Sequence, residues 1–147
     1  MDESSDDLPM LIGRDFYLAH RYARAATNRA LRAHHVDLRH LAVLGHLAEA
    51  GPAAQRTLVD RLQMDKSSMV YVVDELERQA LVTRRRDAQD RRRYAVEITA
   101  EGRTRLADAT TTAARTMADL TTPLSPADQQ QLHALLTRFI EHAGGTE

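Results

Sequence analysis

The chain has 147 residues, a length for one domain or one domain with an appendage, and 43% of them are hydrophobic, enough for a core. It has no cysteine, which excludes disulfides, thiolate metal sites and thiol redox sensing. The net charge of −1 argues by itself against a polyanionic partner, but it conceals a separation of charge: the start is acidic and the segment from Arg78 to Arg93 is strongly basic. No apolar run approaches the roughly 20 residues of a membrane span. The acidic start is unlike a signal peptide. The expectation is a cytoplasmic protein without a membrane partner.

Residues 1–7, with Asp2, Glu3, Asp6 and Asp7, read as a disordered acidic tail. From Leu8, apolar residues at Leu11, Ile12, Phe16, Ala19, Tyr22, Ala23, Ala26 and Ala30 predict a long helix ending near His34. Asp37 is placed to cap the next helix, whose apolar face runs through Leu38, Leu41, Leu44 and Leu47 until Gly51-Pro52 stops it. Ala53 to Leu62 predicts a short helix with Leu58, Val59 and Leu62 buried. Gln63-Met64 makes a turn. Asp65 then caps a longer helix with Met69, Val72, Val73 and Leu76 on its buried face. Two helices joined this way form a helix-turn-helix pattern.

The period changes after Leu81. Val82 and Thr83 lead into Arg84, Arg85 and Arg86; Asp87-Ala88-Gln89-Asp90 forms a turn; Arg91, Arg92 and Arg93 follow. Tyr94, Val96 and Ile98 then alternate with Ala95 and Glu97, the period of a half-buried strand. The result is a two-stranded hairpin with an arginine-loaded tip. Thr99 caps a further helix through Leu106, Ala109, Ala113, Met117 and Leu120. Pro123 ends it, and Ser125-Pro126 starts the last helix, with Leu132, Leu135, Leu136, Phe139 and Ile140 on one face. Stripes this long at both ends of the chain predict burial across a homodimer interface.

Candidate chemistry gathers in the middle. A helix N-terminus carries partial positive charge and free N–H groups that suit phosphate. Lys66 adds charge there, and Ser67 and Ser68 add short donors. Tyr71 lies roughly one turn further along, on a face that is otherwise polar. Arg84, Arg86, Arg91, Arg92 and Arg93 supply cations on a thin ribbon that can enter a minor groove. Asp90 is placed to aim Arg92 by a charge-assisted bond. The seven histidines contain no pair at i,i+3 or i,i+4, so no metal site is expected. No catalytic constellation or phosphate loop is visible either, and neither enzyme activity nor a cofactor is expected.

Leu76-Glu77-Arg78-Gln79-Ala80-Leu81-Val82, followed by Arg84, Asp87, Asp90-Arg91-Arg92 and Ile98-Thr99-Ala100-Glu101-Gly102, resembles the signature of the MarR family of bacterial transcription regulators. The resemblance extends over nearly the whole chain from Leu8. It implies a mainly α fold: a winged helix-turn-helix with a two-stranded β wing over residues 36–99, and N- and C-terminal dimerisation helices over 8–35 and 100–143. The family's wing arginine falls on Arg92, its orienting aspartate on Asp90, and its DNA-contacting helix start on Lys66, Ser67 and Ser68. The implied function is a homodimeric repressor that binds a pseudo-palindromic site on double-stranded DNA. A small aromatic or phenolic ligand, lodged between the dimerisation helices and the DNA-binding lobe, would release it; its binding residues are not assigned. The chain departs from the family in three places, one of them Ala54, which sits where a Ser or Thr cap is usual for the third helix. Ala80 stands where glycine is frequent, so a left-handed residue there would be strained. Val70-Tyr71 replaces a Thr-Arg pair frequent in the recognition helix, which implies base readout that rests more on apolar contact with thymine methyls and on tyrosine. The rival readings are a ligand-independent activator or architectural DNA-binding protein, and a helical protein-interaction module with a basic hairpin.

Overall fold

The computed structural model describes residues 7–145. Six of the seven residues assigned above to an acidic tail lie outside that range. Helix α1 spans Leu8–Leu31, started by Pro9 in its first turn, and ends in a single 3-10 turn, Arg32–His34. His35 then takes the left-handed conformation, φ 57°, and its N–H donates to the Arg32 carbonyl. Helix α2 (Leu38–Ala50) starts on a capping box: the Asp37 carboxylate accepts from the Arg39 and His40 amides, and the Asp37 amide donates to His40 Nδ1. Gly51, at φ 85°, ends the helix.

The short helix expected from Ala53 begins later. Ala53–Ala54 is a strand, β1, and helix α3 is Gln55–Leu62. Ala54 is extended and its methyl group cannot cap the helix, so its backbone is free to pair with β3. Helix α4 (Lys66–Arg78) follows the left-handed turn at Gln63, φ 49°. Strands β2 (Val82–Arg86) and β3 (Tyr94–Ile98) form the hairpin, with Val82 opposite Ile98 and Arg86 opposite Tyr94. The sheet therefore has three antiparallel strands in the order β1-β3-β2, one more than the hairpin pattern predicts. Helix α5 (Ala100–Leu120) is capped by Thr99, and helix α6 (Pro126–Gly144) by Ser125.

The core lies under the helix-turn-helix. Leu44 and Leu47 of α2, Leu58 of α3, Met69, Val72, Val73 and Leu76 of α4, and Val96 and Ile98 of β3 form one cluster with Leu31 and Ala109. The hydrophobic spacing read along α4 is thus its buried face. The terminal helices differ. α6 buries none of its residues within the chain, and Leu135, Phe139 and Ile140 are 51%, 51% and 63% exposed. On α1, Leu11 and Ile12 are likewise exposed, while Phe16 meets Phe139 of α6 at a ring separation of 4.6 Å. Among the described residues no helix is long and apolar enough to cross a membrane.

Candidate nucleic-acid interface

The α3–turn–α4 unit and the β2–β3 hairpin present adjacent surfaces. Burial of Met69, Val72, Val73 and Leu76 turns the opposite side of α4 outward, and it carries Ser67, Val70, Tyr71, Asp74 and Arg78. Lys66 is exposed at its start. Asp65 occupies the helix N-terminus: it accepts the Ser68 amide at 2.9 Å and the Ser68 hydroxyl at 2.6 Å. These two bonds hold the Asp65 carboxyl below its ordinary pKa. The cap leaves Lys66 and Ser67 as the free polar side chains at this end, while Ser68 donates inward.

The wing tip runs from Asp87 to Arg93. Asp87 N–H donates to the Arg93 carbonyl at 2.8 Å, and Arg93 N–H donates to the Asp90 carbonyl at 3.0 Å. Asp90 Oδ1 accepts the Arg92 amide at 3.0 Å and lies 3.6 Å from Arg92 Nε, and its other oxygen is 3.7 Å from Arg93 Nε. Arg92 points into solvent, with its side chain 95% exposed. Arg91 and Arg93 are also exposed. Arg86 braces the loop: its Nη1 donates to the Arg91 carbonyl at 2.9 Å, and its guanidinium lies over the Tyr94 ring at 5.5 Å.

Arg84 sits apart from this group. Its guanidinium donates to Asp74 at 2.6 Å and to Glu77 at 2.7 Å, with Gln55 at 3.4 Å. Partial burial works against its charge, but Asp74 and Glu77 outweigh that and raise its pKa. Arg84 therefore ties the base of the wing to α4, and it neutralises Asp74, a carboxylate on the outward face. Sequence reasoning passed over three other cations beside α4. Arg78 is exposed on the outward face; Arg56 shares a small cleft with Lys66; Arg39 lies over the Tyr71 ring at 5.7 Å. Arg78 falls on the same helical face as Tyr71, a signal that spacing alone could have supplied.

A polar junction helps to join this surface to the rest of the chain. Arg105 of α5 donates to the His34 carbonyl at 2.7 Å and to Gln79 Oε1 at 2.8 Å, and Gln79 donates to the His35 carbonyl at 3.0 Å. The end of α1, the end of α4 and the start of α5 thus share one polar junction. Elsewhere, α1, α2 and α5 border an open, mostly apolar groove of about 380 Å³ lined by Ala23, Thr27, Leu38, Ala113 and Met117, with His20 and Arg24 at its polar side. Among the described residues no group of three or more His, Cys, Asp or Glu side chains is arranged to hold a metal ion.

A helix-turn-helix whose second helix leads into an arginine-tipped hairpin is a winged helix-turn-helix, the architecture of DNA-binding transcription regulators rather than of enzymes. Residues 36–93 match the sequence model of the MarR family. Over 142 residues the chain is 28% identical to the HTH-type transcriptional regulator YkoM of Bacillus subtilis, covering 97% of this chain and 92% of that one. A transcriptional regulator from Pseudomonas aeruginosa is 28% identical, with a TM-score of 0.76, covering 90% of this chain and 99% of its own. A MarR-family regulator from Rhodococcus sp. RHA1 is 27% identical, with a TM-score of 0.73 over 95% of this chain and 96% of its own. MarR of E. coli, at 19% identity and a TM-score of 0.79, shares the fold over 87% of this chain and 96% of its own. Residues 36–93 thus carry the MarR-family sequence pattern, and over nearly its whole length the chain is similar to transcription regulators.

Proposed function

We propose that the protein is a ligand-responsive repressor that binds a pseudo-palindromic operator as a homodimer in the cytoplasm. Residues 36–99 form the DNA-binding lobe, and residues 8–35 with 100–143 form the dimerisation region. The observation that carries the reading is the pairing of two exposed features. Lys66, Ser67, Val70, Tyr71 and the wing arginines Arg91, Arg92 and Arg93 are all exposed, and Leu11 and Ile12 of α1 and Leu135, Phe139 and Ile140 of α6 stay exposed within the chain. Palindromic sites need two copies of a reading head, and a dimer through the terminal helices supplies them.

In this reading Lys66 and Ser67 contact phosphate at the start of α4, while Val70 and Tyr71 meet bases in the major groove. Ser68 acts through Asp65 by holding the cap. Arg92 enters the minor groove, supported by Asp90, with Arg91 and Arg93 on the flanking phosphates. Arg84 and Arg86 serve the same surface by fixing the wing. The groove between α1, α2 and α5 favours the ligand-responsive reading over the ligand-independent one. It has an apolar lining and a guanidinium at its edge, Arg24, which suit a small aromatic acid. A ligand there would press on α5, whose Arg105 reaches the α4 junction.

The test is fluorescence anisotropy of the full chain on duplexes from the DNA upstream of its own gene and its neighbours, with and without benzoate and related aromatic acids. Saturable, salt-dependent binding that exceeds binding to random duplex, two chains per site, and release by an aromatic acid are expected. Monomeric behaviour in sedimentation with undiminished DNA affinity would overturn the dimeric reading.

A further inference from the structure

Tyr71 is half exposed on the outward face of α4, yet it is not free to turn. Its hydroxyl donates to Glu75 Oε1, one helical turn on, at 3.0 Å. The other carboxylate oxygen of Glu75 accepts from His40 Nε2 at 2.6 Å. His40 is only 4% exposed, and its remaining nitrogen, Nδ1, accepts the Asp37 amide at 2.9 Å. Arg39, anchored on the Asp37 carboxylate at 2.9 Å, lies over the Tyr71 ring. An exposed tyrosine is thus held at its hydroxyl and at its ring by residues that are themselves held by the start of α2.

We propose that Glu75 is a positioning residue for sequence readout: seated on buried His40, it fixes Tyr71 along the flank of the recognition helix, so that Tyr71 meets the major groove with its ring rather than its hydroxyl. The inference rests on the proposed function, in which Tyr71 faces bases. A free phenol can donate to any acceptor on a base edge. A phenol already committed to Glu75 cannot; its oxygen can still accept, but its proton is spent and the exposed ring edge is held toward the groove as an apolar surface. The one apolar group in the major groove is the thymine methyl, so the arrangement selects thymine at the position facing Tyr71. Glu75 also brings a negative charge close to DNA, and the Arg39 guanidinium stands beside it to offset that charge. The brace could alternatively serve only to hold α2 against α4, and the experiment separates the two roles.

The full chain selects sites from a random-sequence duplex library. Every single-base variant of the selected site is then titrated against wild type, Tyr71→Ala, Glu75→Ala and the double variant, with thermal midpoints recorded. Tyr71→Ala marks the positions that Tyr71 reads. Glu75→Ala is expected to cut the preference for thymine at those same positions by about fourfold, the worth of one methyl group removed from water. It should change nothing further in the Tyr71→Ala background. If Glu75→Ala fails to fold, Glu75→Met is read in the same way, because it keeps the length of the side chain without a carboxylate to accept from Tyr71 or His40. Uniform weakening of all duplexes with the base profile intact overturns the proposal, as does a Tyr71→Ala profile identical to wild type, or effects that add in the double variant. A library from which wild type enriches no sequence overturns the proposed function itself, an outcome distinct from any of these.

Discussion

The Leu81 carbonyl oxygen lies against Gly102 at the start of α5, so close that a Cβ on Gly102 would collide with it and would stand 2.8 Å from Ile98 Cγ1. The approach is drawn tight by Thr99, whose amide donates to the same Leu81 carbonyl at 3.0 Å. Its hydroxyl donates to the Ala80 carbonyl at 2.7 Å and accepts the Gly102 amide at 2.9 Å. The obstacle is backbone rather than the tip of a flexible side chain, so it cannot step aside. Gly102→Ala is therefore expected to destabilise the fold by about 1–3 kcal/mol, the usual cost of overpacking. Urea unfolding followed by circular dichroism checks this; an unchanged midpoint would mean that α5 shifts freely against the wing.

Ala80 carries the opposite prediction. It closes α4 in a Schellman turn, with Leu81 N–H donating to the Leu76 carbonyl at 2.9 Å and Ala80 N–H to the Glu77 carbonyl at 3.0 Å. The turn needs a left-handed residue, and Ala80 takes φ 58°. An L-residue with a Cβ is strained there, whereas glycine is not; glycine in turn gives the unfolded chain more freedom. The strain is the larger of the two, so Ala80→Gly should stabilise by about 0.5–1 kcal/mol. A lower urea midpoint for this variant would refute the argument.

The Asp37–His40–Glu75 group makes stability depend on pH. For His40, burial opposes protonation, but the hydrogen bond and charge of Asp37, and then those of Glu75, outweigh it and raise its pKa. For Asp37, burial pushes the other way, yet the bonds from His40 and Arg39 hold its carboxyl well below the usual carboxylate range. On protonation, His40 Nδ1 ceases to accept the Asp37 amide and donates instead to Asp37 Oδ1, 3.0 Å away. A raised folded pKa means that the His40 contribution is fully present below its unfolded value of about 6.5 and is lost as pH rises through the folded one. A depressed folded pKa means that the Asp37 contribution is present above about 3.9 and is lost as pH falls toward its folded value. The other charged or titratable neighbours, Arg39 and Tyr71, keep their charge states across this window. Thermal midpoints from about pH 5 to about pH 8.5 should show wild type losing its advantage over His40→Gln as pH rises. A constant difference across the range would sink the assignment.

The parts of this fold that are legible in the sequence are those whose causes are local. Asp37, Asp65, Thr99 and Ser125 each cap the helix that follows, because a cap needs only its own next few residues. The left-handed strain at Ala80 could be anticipated for the same reason. Strand β1 could not, since two alanines become a strand only where Val96 and Ala95 of β3 arrive beside them. The fate of Arg84 was equally hidden. In sequence it is one of six arginines around a turn, and only the fold brings Asp74 and Glu77 to it. The His40–Glu75 bond spans 35 residues and joins helices whose packing no periodicity specifies. Spacing also suggested that Asp90 aims Arg92 side chain to side chain; the structure gives that pair a long 3.6 Å contact and puts the shorter bond on the backbone.

That last difference sharpens what Asp90 is expected to do at DNA. By accepting the Arg92 amide, it holds the loop in an Asx-type turn, and the direction of Arg92 follows from the backbone. Asparagine can accept the same amide without the charge, so Asp90→Asn and Asp90→Ala separate geometry from electrostatics. Arg92→Ala should weaken operator binding and flatten the preference for A·T-rich flanks, whose narrow minor groove attracts arginine. Asp90→Ala should flatten that preference in part, because the arginine loses its support. Asp90→Asn should keep the preference and bind every duplex more tightly, having lost only a charge that repels phosphate. Lys66→Ala serves as the reference for a phosphate contact: it should weaken all duplexes alike and lower the salt slope by roughly 1 per subunit. The measurement is a salt titration of affinity for all four variants on duplexes that differ only in their flanks. If Asp90→Ala binds both duplexes more tightly with their ratio unchanged, charge alone accounts for Asp90 and the turn plays no part in reading the groove.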